Sequence, residues 1–446
     1  MKKSIVALLL GLALVILVSP GIVGRLAEKS MDANLDWAAA EAEAVVVSSQ
    51  GFDRGWFSSE GRHRIEIRGG ELRELLLAYA DTDASAVLPT LIIDTRIDHG
   101  LIPVTSMARE NGSLVPGLGN AVSTLGFEAG DVVVPLPGKI YSTVSLTGAL
   151  RSNYVLGPGS FAHDGATAHW GDVDVNLSAS PASGDIEFSG TIASFAVNSS
   201  TDDVRIEAIR FSGDQAPSGF GFRVGSMQGA IGSISITSGY RGSGAALPGP
   251  QTGLGPITLD ASSSVDGDRV TARTRLGIGN TPLQDLGSGD INLDMRIVAA
   301  DGRAIGNIKR HLERMQPAPD PDAQRQELDA AAKKLIAAGL ELHIDEATIS
   351  LPQGLIEAEL HVAVDESGPG DFSWAEALLA IDATADFSIA EELVQLAMAA
   401  NPEVGGIIGM GFLRKNADAY ELHAEFRNGL LTVNGAPLPV PLTGLQ

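Results

Sequence analysis

The sequence has no cysteine, few aromatic residues and a shortage of basic side chains. Without cysteine there is no disulfide, no zinc–thiolate site and no thiol nucleophile, so stability rests on packing and hydrogen bonds. Aromatics make up only 5% of the chain while glycine and proline number 52 and 22, a balance that favours many short strands and tight turns over a helical bundle. The 31 Lys and Arg face 55 Asp and Glu, and the net charge of -24 repels nucleic-acid phosphates and bare anionic lipid surfaces. Nucleic acid is therefore not expected as a partner.

Motifs of catalysis are missing as well. No serine has a glycine two positions to either side, as a nucleophile elbow requires. The eight histidines contain no H-E-x-x-H pair. His163, Asp164 and His169 in "HDGATAHW" are the nearest approach to a metal cluster, but their spacing fits no named site, and a polar loop leading into a strand at Trp170 explains them. The aspartates of "PAPDPDAQ" lack the glycine and glutamate of a calcium loop. The glycine-rich stretch from Ser238 to Gly255 lacks the Lys-Ser/Thr of a phosphate loop. No metal and no cofactor is expected.

The 446 residues, 44% of them hydrophobic, can bury a sizeable core. Lys2 and Lys3 precede an uncharged stretch from Ser4 to Gly24 that closes at Arg25. As a helix these residues rise roughly 31 Å, enough to span a bilayer with the N-terminus on the cytoplasmic side. A cleaved signal peptide is the competing reading, because Ser19-Pro20-Gly21 offers small residues but no A-x-A site. Residues 25–44 are alanine-rich and read as a helical linker.

From about Val45 the apolar period becomes two. "RHRIEIRGG" alternates at Ile65 and Ile67, and "WGDVDVNLSAS" sets Val173, Val175 and Leu177 against Asp174 and Asn176. Further strands follow without intervening helices, which favours an antiparallel meander, with turns at Asp266-Gly267, Asn428-Gly429 and Asn434-Gly435. Helical insertions are expected at 303–315, 323–338 and 388–400, the second ended by Gly339, the third opened by Ser388 in a capping box with Glu391 and stopped by Pro402. No strict repeat stands out. The expected fold is mainly β with some α: a membrane helix over 1–24, then a large antiparallel sheet over 45–446. Its apolar face is covered by a second sheet or by closure on itself, or is left as a groove for acyl chains or a protein partner.

"QGFDRGWFSSEGRHRIEI" and "RIDHGLIPV" hold the candidate site. Gly55 permits a tight turn, Trp56 and Phe57 supply buried area, and Ser58 and Ser59 can bond backbone groups at the strand end. Asp98 can accept from an amide or from Arg54, and His99 is expected to point outward beside Gly100. The two stretches are expected to meet as a structural corner, with a ligand or partner contact through Arg54, Trp56, Phe57, Asp98 and His99 as the second reading and catalysis the third. Gly55, Gly100 and Pro103 are read as turn residues, and none as catalytic.

These motifs, the N-terminal segment and the closing "FRNGLLTVNGAPLPV" resemble the YdgA-like family of bacterial envelope proteins across nearly the whole chain. The resemblance implies anchoring in the inner membrane with the rest of the chain in the periplasm, and supplies no catalytic residues. The closing segment and the strand-rich body are similar, more weakly, to AsmA-like proteins, which implies lipid contact. The expected function is non-enzymatic binding of lipid, such as phospholipid, or another apolar ligand along the sheet. A scaffold for other envelope proteins is the alternative, and a hydrolase the third choice.

Overall fold

The computed structural model describes residues 45–67, 90–99, 117–129, 132–163, 166–198, 202–238, 251–283, 286–313, 321–365 and 379–438. The expected membrane helix and linker over 1–44, and Gly100, Pro103 and Asp164, lie outside them. None of the described helices is long and apolar enough to cross a membrane. The chain forms two compact units, one of Met1–Gly159 and Gly171–Thr191, the other of Ser160–Trp170 and Ile192–Gln446.

The first unit is an antiparallel ladder of β1 (Val45–Arg54), β2 (Ser58–Ile67), β3 (Thr90–Asp98), β4 (Gly119–Ala129), β5 (Val132–Val144) and β6 (Leu150–Leu156), each paired with the next. After β7 (Gly159–His163) and β8 (Ala166–Trp170), β9 (Val173–Ser180) returns to pair with β6. β8 and the C-terminal part of β10 (Asp185–Asn198) belong to the second unit, where Phe195–Asn198 pair with Thr167–Trp170. Trp170 thus ends a strand instead of opening one. An apolar core forms around Ile97 of β3 and Leu118, just before β4, which pack with Phe52, Ala121 and Val144.

The second unit is also an antiparallel meander. β11 (Asp202–Pro217) pairs with β12 (Arg223–Ile231) and β13 (Ser233–Ser238), β13 with β14 (Gln251–Leu254), and β12 with β15 (Ile257–Asp266). β16 (Arg269–Pro282), β17 (Ser288–Asp301), β18 (Leu340–Leu351), β19 (Gly354–Val364), β20 (Ile381–Ala390) and β22 (Ala419–Arg427) follow side by side, all antiparallel. Short β21 (Arg414–Asn416), β23 (Leu430–Val433) and β24 (Ala436–Leu438) complete this end. Asn428 and Gly429 both take positive φ, 51° and 74°, as a two-residue hairpin turn demands.

Four helices are described, and their ends follow local chemistry. α1 (Gly302–Glu313) begins where the Asp301 carboxylate accepts from the Ala304 amide at 2.7 Å. α2 (Pro321–Ala337) stops at Gly339, whose φ is 76°. α3 (Glu391–Ala400) does not start from Ser388. That serine pairs with Glu357 and Glu421 inside the sheet, so its backbone is committed to the ladder; Ala390 is the N-cap, and the Glu391 carboxylate takes Lys415 at 2.5 Å in place of a capping box. Pro402 leads directly into α4 (Glu403–Gly409), which the sequence reading omits.

Buried apolar side chains of the second unit, among the described residues, are few: Val270, Ala300, Ala304, Ala331, Leu393, Val394 and Val433. Four of the seven lie on helices, and Val270 and Ala300 are register partners at the strand ends beside α1.

Candidate functional site

The two motifs do meet. Ser58 pairs with Asp98 and Ser59 with Ile97 across β2 and β3. The Gly55 amide donates to the Ser58 carbonyl at 2.8 Å and closes the turn from β1; a Cβ at Gly55 would stand 2.7 Å from that oxygen, so the close approach requires glycine. The His99 amide donates to the Phe57 carbonyl at 3.0 Å, and the Ser59 hydroxyl lies 3.0 Å from His99 Nε2. His99 is only 1% exposed, which corrects the expectation that it points outward. Trp56 is corrected in the opposite sense: at the tip of the turn it is 57% exposed, while Phe57 is half-buried. Asp98 is buried and Arg54 exposed.

The polar strip continues under the sheet. His63 is 1% exposed, and a Cβ at Gly61 would come within 3.1 Å of both His63 Cε1 and Phe52 Cδ2. The buried Thr95 and Ser123 hydroxyls are 2.8 Å apart. A serine hydroxyl bonded to an imidazole has the geometry of a nucleophile and its base. Ser59 is itself only 1% exposed, however, so no reacting carbonyl can reach its oxygen. The pair works as a clasp between β2 and the end of β3.

The second unit offers a surface of a different kind. Ile231, Ile257, Ile278, Ile291, Ile349, Ile356 and Ile389 stand opposite one another in register across β12, β15, β16, β17, β18, β19 and β20. Register partners share a face, so this is a continuous isoleucine row roughly 29 Å long at the usual strand spacing. A parallel row runs Leu259, Leu276, Leu293, Ala347, Ala358, Phe387 and Leu422. Two residues further on lie Met295, Ile344, Leu360 and Ala385. Every one of these side chains is half-buried, whereas Leu393 and Val394 on α3 are 5% and 2% exposed. Neighbours within the sheet shield the rows laterally, and among the described residues none of these side chains is fully buried.

The opposite face is charged. Arg273 and Arg275 reach Asp294, whose carboxyl is held below the usual range chiefly by the Arg273 hydrogen bond. Arg296 meets Asp345 at 3.0 Å. His423 Nδ1 lies 2.6 Å from Asp386, and that hydrogen bond, with a second to Glu425, raises the imidazole pKa. An open groove of about 460 Å³ beside His423 is lined by Glu357, Asp386, Glu421, Arg414 and Lys415 among others. Glu341, His343 and His361 gather on the same face. The sequence signal for this grouping is the tripeptide Glu-Leu-His, which occurs at 341–343, 359–361 and 421–423, each time with leucine inward and the polar pair outward. His169, by contrast, lies in β8 opposite Ala196.

Residues 1–441 match a family described as bacterial protein of unknown function, DUF945. The chain belongs to this family. No curated protein and no solved structure matches it. Membership in DUF945 carries a bacterial origin and an extent that takes in both units, and it brings no assigned activity to either the clasp or the apolar rows.

Proposed function

We propose that this DUF945 protein holds the hydrocarbon tails of lipids against the apolar face of its second unit, as a non-enzymatic component of the bacterial envelope anchored in the inner membrane by residues 4–24. The observation that carries this reading is the isoleucine row and its parallel neighbours. Side chains that a second layer would bury are only partly buried over seven strands without one charged interruption. A contiguous apolar face of this extent marks a binding surface. The YdgA-like and AsmA-like resemblances, and the Lys2-Lys3 flank of the N-terminal segment, support the membrane setting.

A protein partner is the second reading, favoured by Leu396, Met398, Ile407 and Met410 on and after α3 and α4, which are 40–68% exposed. The test separates the two. A photo-crosslinking residue is placed in the full chain at Ile291 or Leu360 on the apolar face, or at Asn292 or Glu359 on the charged face, and irradiated in cells. Phospholipid adducts at the first pair alone support lipid binding. Protein adducts there support the partner reading, and no adduct at either pair overturns the lipid reading.

A further inference from the structure

We propose that Glu341, His343 and His361 form a binding site for a divalent transition-metal ion on the charged face of the second unit, a site separate from the apolar rows and independent of their function. His343 and His361 are direct register partners on β18 and β19, and their rings stack at 4.3 Å between centroids. Glu341 lies two residues before His343 and so on the same face, opposite the small Ala363. Its Oε2 is 2.9 Å from His343 Nε2 and 4.0 Å from His361 Nε2, and all three donor atoms lie within 4.8 Å of one another.

Two imidazoles and a carboxylate form a borderline-soft donor set that suits zinc, cobalt or nickel better than calcium or magnesium. Bonds of about 2.0–2.2 Å to a tetrahedral ion set donor atoms roughly 3.3 Å apart. The observed 2.9 and 4.0 Å bracket that separation, so modest side-chain rotation closes the site. Glu341 and His361 are each about half-exposed at the side chain, 49% and 47%, which leaves an entry path and room for a water ligand.

Arg296 opposes the ion. Its Nη2 is 3.3 Å from His343 Nδ1, while Asp345 holds the guanidinium at 3.0 Å. Without an ion, Nδ1 accepts from Arg296 and Nε2–H donates to Glu341. An ion at Nε2 takes the place of that proton, the neutral imidazole then carries its proton on Nδ1, and Arg296 must turn away toward Asp345. The site therefore predicts an unusual sign: removing a charged residue beside it tightens binding.

The test uses the full chain, without a histidine tag and stripped of metal by a chelator, titrated with Co²⁺ while the visible d–d bands are recorded. One equivalent should bind with the intense absorption of low-coordinate cobalt. His361→Ala and Glu341→Gln, both at exposed positions, should each weaken binding by about ten-fold or more, and Arg296→Gln should strengthen it several-fold. Absence of a saturable site, or binding that His361→Ala leaves unchanged, overturns the assignment. Weaker binding in Arg296→Gln overturns the tautomer argument and, with it, the geometry at His343.

Discussion

Replacing Ser59 by alanine tests whether the Ser59–His99 pair is a clasp. Both residues are 1% exposed and the hydroxyl is 3.0 Å from Nε2, so no water stands ready to take its place. A buried polar group deprived of a partner costs about 1–3 kcal/mol, and the cavity left by one oxygen adds little. A loss of about 2 kcal/mol in a unit of this size lowers its melting temperature by about 4–8 °C. Calorimetry of the full chain reads the shift, and hydrogen exchange of the β2 and β3 amides assigns it to the first unit. The control is Glu60→Ala, the next residue on the same strand but the other face, whose pair with Arg96 at 3.0 Å is exposed and contributes no more than about 1 kcal/mol. If Ser59→Ala is as mild as Glu60→Ala, the clasp argument fails, and a functional role for the pair has to be reconsidered.

Three further outcomes can be checked separately. Gly55→Ala forces a Cβ to 2.7 Å from the Ser58 carbonyl and should destabilise by about 1–3 kcal/mol, whereas Gly51→Ala meets nothing within 4 Å; equal urea midpoints would refute the close-approach argument. His423 has a raised folded pKa, so its contribution is complete below the unfolded value of about 6.5 and fades as pH rises through the folded one. Because the ring is half-exposed the size stays under about 1 kcal/mol, and an NMR titration midpoint that is not lowered by Asp386→Asn would contradict the assignment. Leu360→Lys places a charge on a side chain that is only partly buried; melting should shift by no more than a few degrees while lipid crosslinking at Ile291 is lost, and unchanged crosslinking would detach lipid from this face.

The strands were legible because alternation is a local signal, as in "LIEAELHVAV", where Ile356, Ala358, Leu360 and Val362 all fall on one face of β19. The meeting of the Arg54–Ser59 and Asp98–His99 stretches could also be anticipated, since each borders a strand. Burial could not. Trp56 and His99 exchanged the exposures expected of them, because hydropathy says nothing about which residue occupies the tip of a turn and which lies under the next strand. The start of α3 moved from Ser388 to Ala390 for a related reason: pairing with Glu357 and Glu421 outweighed a local capping signal. The cluster of Glu341, His343 and His361 depends on the register of β18 against β19, including the irregularity between Ile344 and Ala347, and register is not written in either strand alone.

The half-open state of the apolar rows bears on what a bound lipid could do there. A sixteen-carbon tail gains about 13 kcal/mol when fully removed from water, at about 0.8 kcal/mol per methylene. Lying on one open face it is covered on about half its surface, for about 6 kcal/mol, which by itself leaves it less comfortable than in a bilayer. The face beneath it also loses its contact with water, and that second surface is of similar extent, so the total approaches the bilayer value. A near-balanced exchange suits a surface over which lipids pass in both directions better than a store that retains them. The full chain, reconstituted in donor vesicles carrying a fluorescent phospholipid, should therefore raise the rate of transfer to acceptor vesicles well above the spontaneous rate, and Leu360→Lys should return it most of the way to that baseline. If wild-type protein binds lipid stoichiometrically but never speeds exchange, the balance has been misjudged and the face is a store; if it does neither, the apolar rows await a protein partner.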